Sequence, residues 1–325
     1  MRRPLCNRAG VDTQLGLPNA REDRPLPPFR LAHLSDLHLP PPPMGAGELS
    51  PKRLLSRFAW RRKRGRHDIE ALAALAADIR AARPDHIAVT GDLTNFSTRE
   101  EFAAARRWLE TLGPPADVTV SPGNHDALVG VRAEARFETW RPWLGDADGA
   151  DFPQVRRRGP LAIVNLCSAA PTALHLAQGV LEPAQLARLP ALLREAGAAG
   201  LFRVILIHHP PAAGIVSHRK ALREASQLGA ILAAEGAELV LHGHAHEATV
   251  ATLAGPRGSI PVLGIPSASA RGGHGEAARW HEIAVTPEGE GWRTGVTARG
   301  VRGRAGEVVE LGRYSLSPAW SGRAS

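Results

Sequence analysis

Apolar positions along the chain follow two rhythms, and the predicted architecture changes where the rhythm does. Short, nearly continuous apolar runs at 29–35, 85–90, 116–122, 161–166, 202–207 and 237–241 predict buried strands. Segments with apolar residues at helical spacing separate them. Over 67–82, Ile69, Leu72, Leu75, Ala76 and Ile79 share one face, and Pro84 ends the pattern. Ser97 with Glu100 reads as a capping box opening a helix that runs to about Leu112. Further helices are predicted over 182–196 and 219–235. The stretch 131–160 is irregular, with a weak helical signal over 133–140. Beyond 246 the period changes to short alternating runs, ATVATL, IPVLGI, WHEIAV, WRTGVTA and VVELGRY, which read as hairpin strands.

Parallel strands with intervening helices, followed by hairpins with no linker between, predict one α/β domain of two packed sheets over 29–316. Residues 1–28 are rich in Pro, Arg, Asn and Gly without apolar periodicity, so a disordered leader is expected there, and 317–325 reads as a tail. No internal repeat is visible.

Composition narrows the class. The chain has 325 residues, 43% of them apolar, enough for a substantial core. No apolar run approaches the roughly 20 residues of a membrane span, and the N-terminus lacks the apolar region of a secretory signal. Cys6 and Cys167 are the only cysteines and do not resemble a disulfide framework, so a reducing cytoplasm is the expected location.

The net charge of +8 changes the picture because of where it sits. Lys52, Arg53, Arg57, Arg61, Arg62, Lys63, Arg64 and Arg66 lie between 52 and 67 with no acid among them. Within 50–67 a short helix beginning at Ser50-Pro51 is predicted, with Leu54, Leu55 and Phe58 on one face and Trp60 at its margin. Such a basic helical insertion suits an anionic substrate, reached through Arg53, Arg57, Arg61 and Arg62, or peripheral contact with an anionic membrane surface. It equally suits a solvated face. Apart from Lys220 the basicity elsewhere is arginine, and no specific nucleic-acid partner is expected.

The chemistry collects at strand ends. Asp36 and His38 follow the first strand, Asp92 the second, Asn124 and His125 the third, His208 the strand ending at Ile207, and His244 and His246 the strand ending at Leu241. In open α/β sheets, ligands bind beyond the carboxyl ends of the strands. Asp36, His38, Asp92, Asn124, His208, His244 and His246 supply seven oxygen and nitrogen donors. That is too many for one tetrahedral ion and suits two ions with a shared ligand, for which Asp92 has the two oxygens. A water between two such cations would ionise near neutral pH and attack phosphorus in line.

Asp36-Leu-His38, Gly91-Asp92, Gly123-Asn124-His125-Asp126, His208 and Gly243-His244-Ala245-His246, in that order, resemble the five blocks of the calcineurin-like metallophosphoesterases. The resemblance covers about 29–250 and implies a four-layer α/β/β/α sandwich with a dinuclear centre of Mn, Fe or Zn. It further implies that Asp36, His38, Asp92 and His246 hold one ion and Asp92, Asn124, His208 and His244 the other, with His125 facing the substrate. The runs SDLHL, GDLTN, GNHD, HHPP and GHAH are similar to the bacterial class III cyclic-nucleotide phosphodiesterases. They lack the arginine after the second block, and have aspartate where glutamate follows Asn-His, in the protein phosphatases. A small phosphodiester is therefore the expected substrate, with a lipid-linked diphosphate such as UDP-diacylglucosamine as the alternative. A non-catalytic scaffold is the remote case, since every ligand position is filled. His209 and His242 are expected to orient the ligand histidines, and Asp126 to orient His125 or cap its turn. His33 reads as packing. His86, His175, His218, His274 and His281 match no block.

Overall fold

The computed structural model describes residues 27–63, 65, 67–130, 137–147, 151–272, 276–303 and 306–316. The expected leader at 1–28, except for its last two residues, and the tail at 317–325 lie outside the described residues, as do residues 133–136 of the weak helical signal.

Two six-stranded sheets form the centre. In the first, β1 (Phe29–Leu34), β2 (His86–Val89) and β3 (Val118–Val120) run parallel. β10 (Arg279–Glu288) pairs antiparallel with β1, and β11 (Gly291–Arg302) and β12 (Glu307–Leu316) complete the sheet. In the second, β5 (Leu161–Asn165), β6 (Phe202–Leu206), β7 (Leu239–His242) and β9 (Gly258–Gly264) are parallel. Antiparallel β4 (Gln154–Arg158) and β8 (Thr249–Gly255) form its edges.

Three apolar cores define four layers. Leu31, Ile163, Val204, Leu241, Ile283 and Val296 fill the space between the sheets. Helix α2 (Ile69–Ala82) covers the outside of the first sheet with Leu72, Leu75 and Ile79, joined by α3 (Arg99–Leu112), Trp140 and Trp143, the last on the short helix α4 (Arg141–Leu144). On the far side α5 (Pro183–Ala198) and α6 (Ala225–Glu235) bury Leu189, Leu193, Leu228 and Leu232 against the second sheet. This is the expected α/β/β/α sandwich.

Four local expectations change. The capping box belongs to Thr98 and Glu101, one residue beyond Ser97 and Glu100. Glu101 also accepts from the backbone N–H of Asn95 and Phe96, and these extra donors settle the register. The helix expected over 219–235 begins only at Ala225. Ahead of it, 219–222 pairs with the neighbouring loop, Ala177 N–H donating to Arg219 O and Gly179 N–H to Ala221 O. β4 was not expected, because its inward residues Gln154 and Arg156 are polar. The basic segment does form a helix, α1 (Pro51–Lys63), but Arg53 points inward. It is 8% exposed and donates to Phe96 O, Ser97 O and Glu48 O, so it anchors the helix and offers no charge to an anion.

Candidate metal centre

The carboxyl ends of β1, β2, β3, β6 and β7 lie together, and the loops leaving them carry every residue of the five motif blocks. At β1 the convergence is the work of a turn. The strand stops at Leu34, and Asp36 and His38 have φ of 54° and 44°, so a left-handed turn, not strand alternation, presents both side chains. Backbone hydrogen bonds from Asp36 N–H to Gly91 O and from His38 N–H to Asp92 O lock this turn to the one after β2. Two glycines permit the close approach. A Cβ on Gly91 would lie 2.7 Å from Gly123 N and His208 Nδ1, and one on Gly243 would collide with Ser35 Oγ and Asp36 Oδ2.

The donor atoms form overlapping clusters. Asp36, His38 and His246 make one, with His246 Nε2 3.0 Å from Asp36 Oδ1 and 3.3 Å from His38 Nε2. Asp36, Asp92 and His208 make another, with His208 Nε2 3.3 Å from Asp92 Oδ2 and also 3.3 Å from Asn124 Oδ1. Asp92 Oδ2 is 3.9 Å from His38 Nε2 as well, so this carboxylate stands between the two groups. His244 approaches His208 with ring centroids 5.1 Å apart, and its Nε2 donates to Lys220 O at 3.1 Å, which turns Nδ1 toward the centre. His208 Nδ1 donates to Thr90 O, leaving Nε2 for the cluster.

The electrostatics suit cations. Burial works to raise the Asp36 and Asp92 carboxyls, but the surrounding imidazoles, His246 at Asp36 and His208 at Asp92, hold both well below the ordinary range. Burial works to lower His208, yet Asp92 lifts it to about 9. Burial drives His38 and His244 well down. Two ionised carboxylates beneath 2% exposure, faced by imidazoles and an amide oxygen, fit metal ions that would displace the His208 proton.

His125 sits at the rim of this group. Its N–H donates to Asp92 Oδ1 at 2.7 Å and its Nδ1 to Asn95 O at 2.9 Å, while its ring meets His38 edge-on at 5.0 Å. Asp126 does not orient that ring. Its carboxylate accepts from the N–H of Asp92, Thr94 and Gly123 and from Thr94 Oγ1, so it ties the β2 and β3 turns together. Burial and the adjacent Asp92 push it up to about 7. His209 bonds Ser168 Oγ through Nδ1 and packs against His208 and His244 at 5.0 and 4.4 Å. His242 contacts Gly243 O and Thr249 Oγ1. His33 is buried and bonds Thr90 Oγ1.

Not every sequence candidate joins the centre. Arg53 is spent on carbonyls, Arg57 is half-buried on α1, Arg61 is exposed there, and Arg62 is exposed with its guanidinium 4.3 Å over the Phe58 ring. Conversely, Ser267 and His67 were missed. Ser267 Oγ donates to Asp36 O at 2.6 Å, and the His67 ring lies 4.7 Å from that of His38. No strand-end motif marks either.

Comparison with known proteins identifies the family. A protein from Rhodococcus erythropolis named a probable cyclic nucleotide phosphodiesterase is 30% identical over 244 residues, covering 73% of this chain and 70% of its own. One of the same name from a Synechococcus species is 27% identical over 270 residues, covering 81% and 90%. Among solved structures, a dimetal phosphatase from Danio rerio superposes with a TM-score of 0.55 at 12% identity, over 90% of this chain and all of that one. A purple acid phosphatase from yellow lupin seeds gives 0.54 at 10% identity, over 89% of this chain and 53% of the plant protein. These last two share the fold. The profile of the calcineurin-like phosphoesterases matches residues 29–248, well over half the sequence, and the chain therefore belongs to that family of metal-dependent phosphoester hydrolases.

Proposed function

We propose that the chain hydrolyses a small phosphodiester of the cyclic-nucleotide kind at a pair of transition-metal ions. Asp36, His38, Asp92 and His246 would hold one ion and Asp92, Asn124, His208 and His244 the other. The observation that carries this reading is the position of Asp92 Oδ2, 3.3 Å from His208 Nε2 and 3.9 Å from His38 Nε2, where one carboxylate serves both groups. Mixed carboxylate, amide and imidazole donors accept Mn, Fe or Zn. When bound, such a pair activates water and neutralises charge on phosphoryl oxygens.

The chain's own residues do the rest. Thr90 O and Lys220 O fix the tautomers of His208 and His244, and Asp126 holds the turns that carry Asp92 and Asn124. His125 keeps its Nδ1 hydrogen on Asn95 O, so Nε2 is the other ring nitrogen, and in the imidazolium form it would carry the second proton and deliver it to the leaving oxygen. The substrate class is drawn from the names of the bacterial relatives. The test is a panel of cyclic nucleotides, glycerophosphodiesters, phosphomonoesters and UDP-linked lipids with Mn-loaded protein. Asp92→Ala and His246→Ala should each lose metal and reduce hydrolysis of bis-p-nitrophenyl phosphate at least 100-fold. Full turnover in either variant would defeat the assignment.

A specific observation also supports peripheral contact with an anionic membrane from the cytoplasmic side. Leu54, Leu55 and Phe58 of α1 are 51, 48 and 54% exposed, with Arg57, Arg61 and Arg62 on the same helix. An apolar stripe flanked by cations, fastened from beneath by Arg53, suits a bilayer interface, whereas a second copy would set like charges against each other. No helix among the described residues is long and apolar enough to cross a membrane. The protein should sediment with phosphatidylglycerol vesicles and not with phosphatidylcholine, and Leu54→Ser with Phe58→Ser should abolish the difference. Equal recovery with both lipids would remove this contact.

A further inference from the structure

The His125 ring takes its orientation from a carbonyl, Asn95 O, which accepts the Nδ1 hydrogen at 2.9 Å. That carbonyl lies in a buried, strained turn, for Asn95, Phe96 and Ser97 are all buried and Ser97 has φ of 50°. Neighbouring groups hold the N–H groups and side chains of the turn. Glu101 accepts from Asn95 N–H and Phe96 N–H, Asn95 Nδ2 donates to Leu39 O, and Leu128 N–H donates to Ser97 Oγ. The next two carbonyls, Phe96 O and Ser97 O, receive their donors from Arg53, whose Nε and Nη2 lie at 2.9 and 2.6 Å.

Arg53 is itself a fixed point. Its Nη1 donates to Glu48 O, while Glu48 Oε1 accepts from Arg99 N–H, so the approach to α1 and the start of α3 are tied in both directions. The preceding residue, Lys52, donates to Thr172 O at 2.6 Å, in the loop beyond β5 of the other sheet. Without the guanidinium, two buried carbonyls lose their donors, and the turn must shift to recover them from water. Asn95 O moves with the turn, and the His125 ring with Asn95 O. A misplacement of about 1 Å at a reacting group costs on the order of 100-fold in rate.

We propose that Arg53 is a positioning residue for proton delivery: through the Phe96 and Ser97 carbonyls it holds Asn95 O where the His125 ring is aimed at the leaving oxygen. The proposal rests on the phosphoesterase reading above, with His125 as its acid. It gives the buried arginine of a basic helix a part in the reaction without any contact with substrate. Its loss therefore falls on esters whose leaving oxygen needs a proton and spares those whose leaving group departs readily as an anion.

The experiment measures kcat of Mn-loaded protein on two symmetrical diesters, bis-p-nitrophenyl phosphate, whose leaving group is a stable anion, and diphenyl phosphate, whose phenol is a far weaker acid. The ratio of the two rates on one preparation does not depend on how much of it is folded, so a variant that folds poorly still reports. Arg53→Met should raise the ratio of nitrophenyl to phenyl ester turnover roughly 10- to 100-fold. Arg53→Lys, which keeps the cation but not the fork that meets both carbonyls, should shift it the same way by less. His125→Ala should shift it at least as far as Arg53→Met, and combining the two should add nothing. An unchanged ratio in Arg53→Met, or a second full shift in the double variant, would overturn the proposal. A wild-type ratio in His125→Ala would defeat the acid role of His125 and this proposal with it. Wild-type protein that hydrolyses neither diester would instead defeat the phosphoesterase reading itself.

Discussion

Of the seven residues proposed to hold metal, Asp36, His38, Asp92, His244 and His246 have φ between 44° and 68°. Non-glycine residues in the left-handed region cost of order 1 kcal/mol each, least for Asp and Asn, and such strain gathers where function demands it. Here it brings side chains from adjacent turn positions onto one point. In the metal-free protein the two buried carboxylates are held ionised by the imidazoles around them, so Asp92 and His208 should support the fold as a pair until cations bind. Asp92→Asn tests this, because asparagine tolerates the same backbone and removes the partner of the His208 proton. The variant should lose metal-dependent hydrolysis at least 100-fold, and in chelator near neutral pH its thermal midpoint should fall below that of wild type. An equal or higher midpoint would show that repulsion between Asp36 and Asp92 outweighs their pairing with the imidazoles. The motif residues were legible in sequence because each follows an apolar run. His67 and Ser267 were not, since their places depend on contacts 202 and 231 residues away in the chain.

At the scale of elements, what the sequence showed well was apolar periodicity, and what it concealed was polar packing. β1, β2, α2 and α5 have clean apolar faces and were foreseen. β4 turns Gln154 and Arg156 inward, where Arg156 donates to Val118 O, Pro142 O and Gly145 O, so its inner face reads as an exposed one. α1 misled in the opposite sense. Arg53 looked like one more surface cation, but it closes a chain of contacts from the helix to the Phe96 and Ser97 carbonyls, one residue beyond the Asn95 carbonyl that holds the His125 ring. The helix with the most exposed apolar surface is therefore built onto the loop that orients a proposed catalytic histidine. Its helical form was legible in the sequence, and its attachment through Arg53 was not.

Across the whole molecule, buried imidazoles make folding stability depend on pH in a way the sequence's fourteen histidines do not by themselves indicate. His86 on β2 is driven down to about 3, by burial first and then by Arg156 and Arg158, and His281 on β10 to about 4, by burial and Arg279. Both sit inside the first sheet, and His86 Nε2 bonds Thr119 Oγ1. The unfolded chain takes up these protons near pH 6.5, whereas the folded chain refuses them until pH 3 to 4. Their contribution is complete above pH 6.5 and is lost as pH falls toward their folded values, each at about 1.4 kcal/mol per pH unit. His208, lifted to about 9, acts oppositely in the metal-free protein, since its contribution is present below pH 6.5 and fades as pH rises through 9. Metal-free stability should therefore peak near neutrality, and loaded metal should remove the alkaline fall by taking the place of the His208 proton. Urea unfolding in chelator at pH 5, 6 and 7 should show the midpoint dropping with acid, and His86→Gln should flatten that slope by one proton equivalent. An unaltered slope in the variant would mean that His86 is protonated in the folded sheet, contrary to its burial.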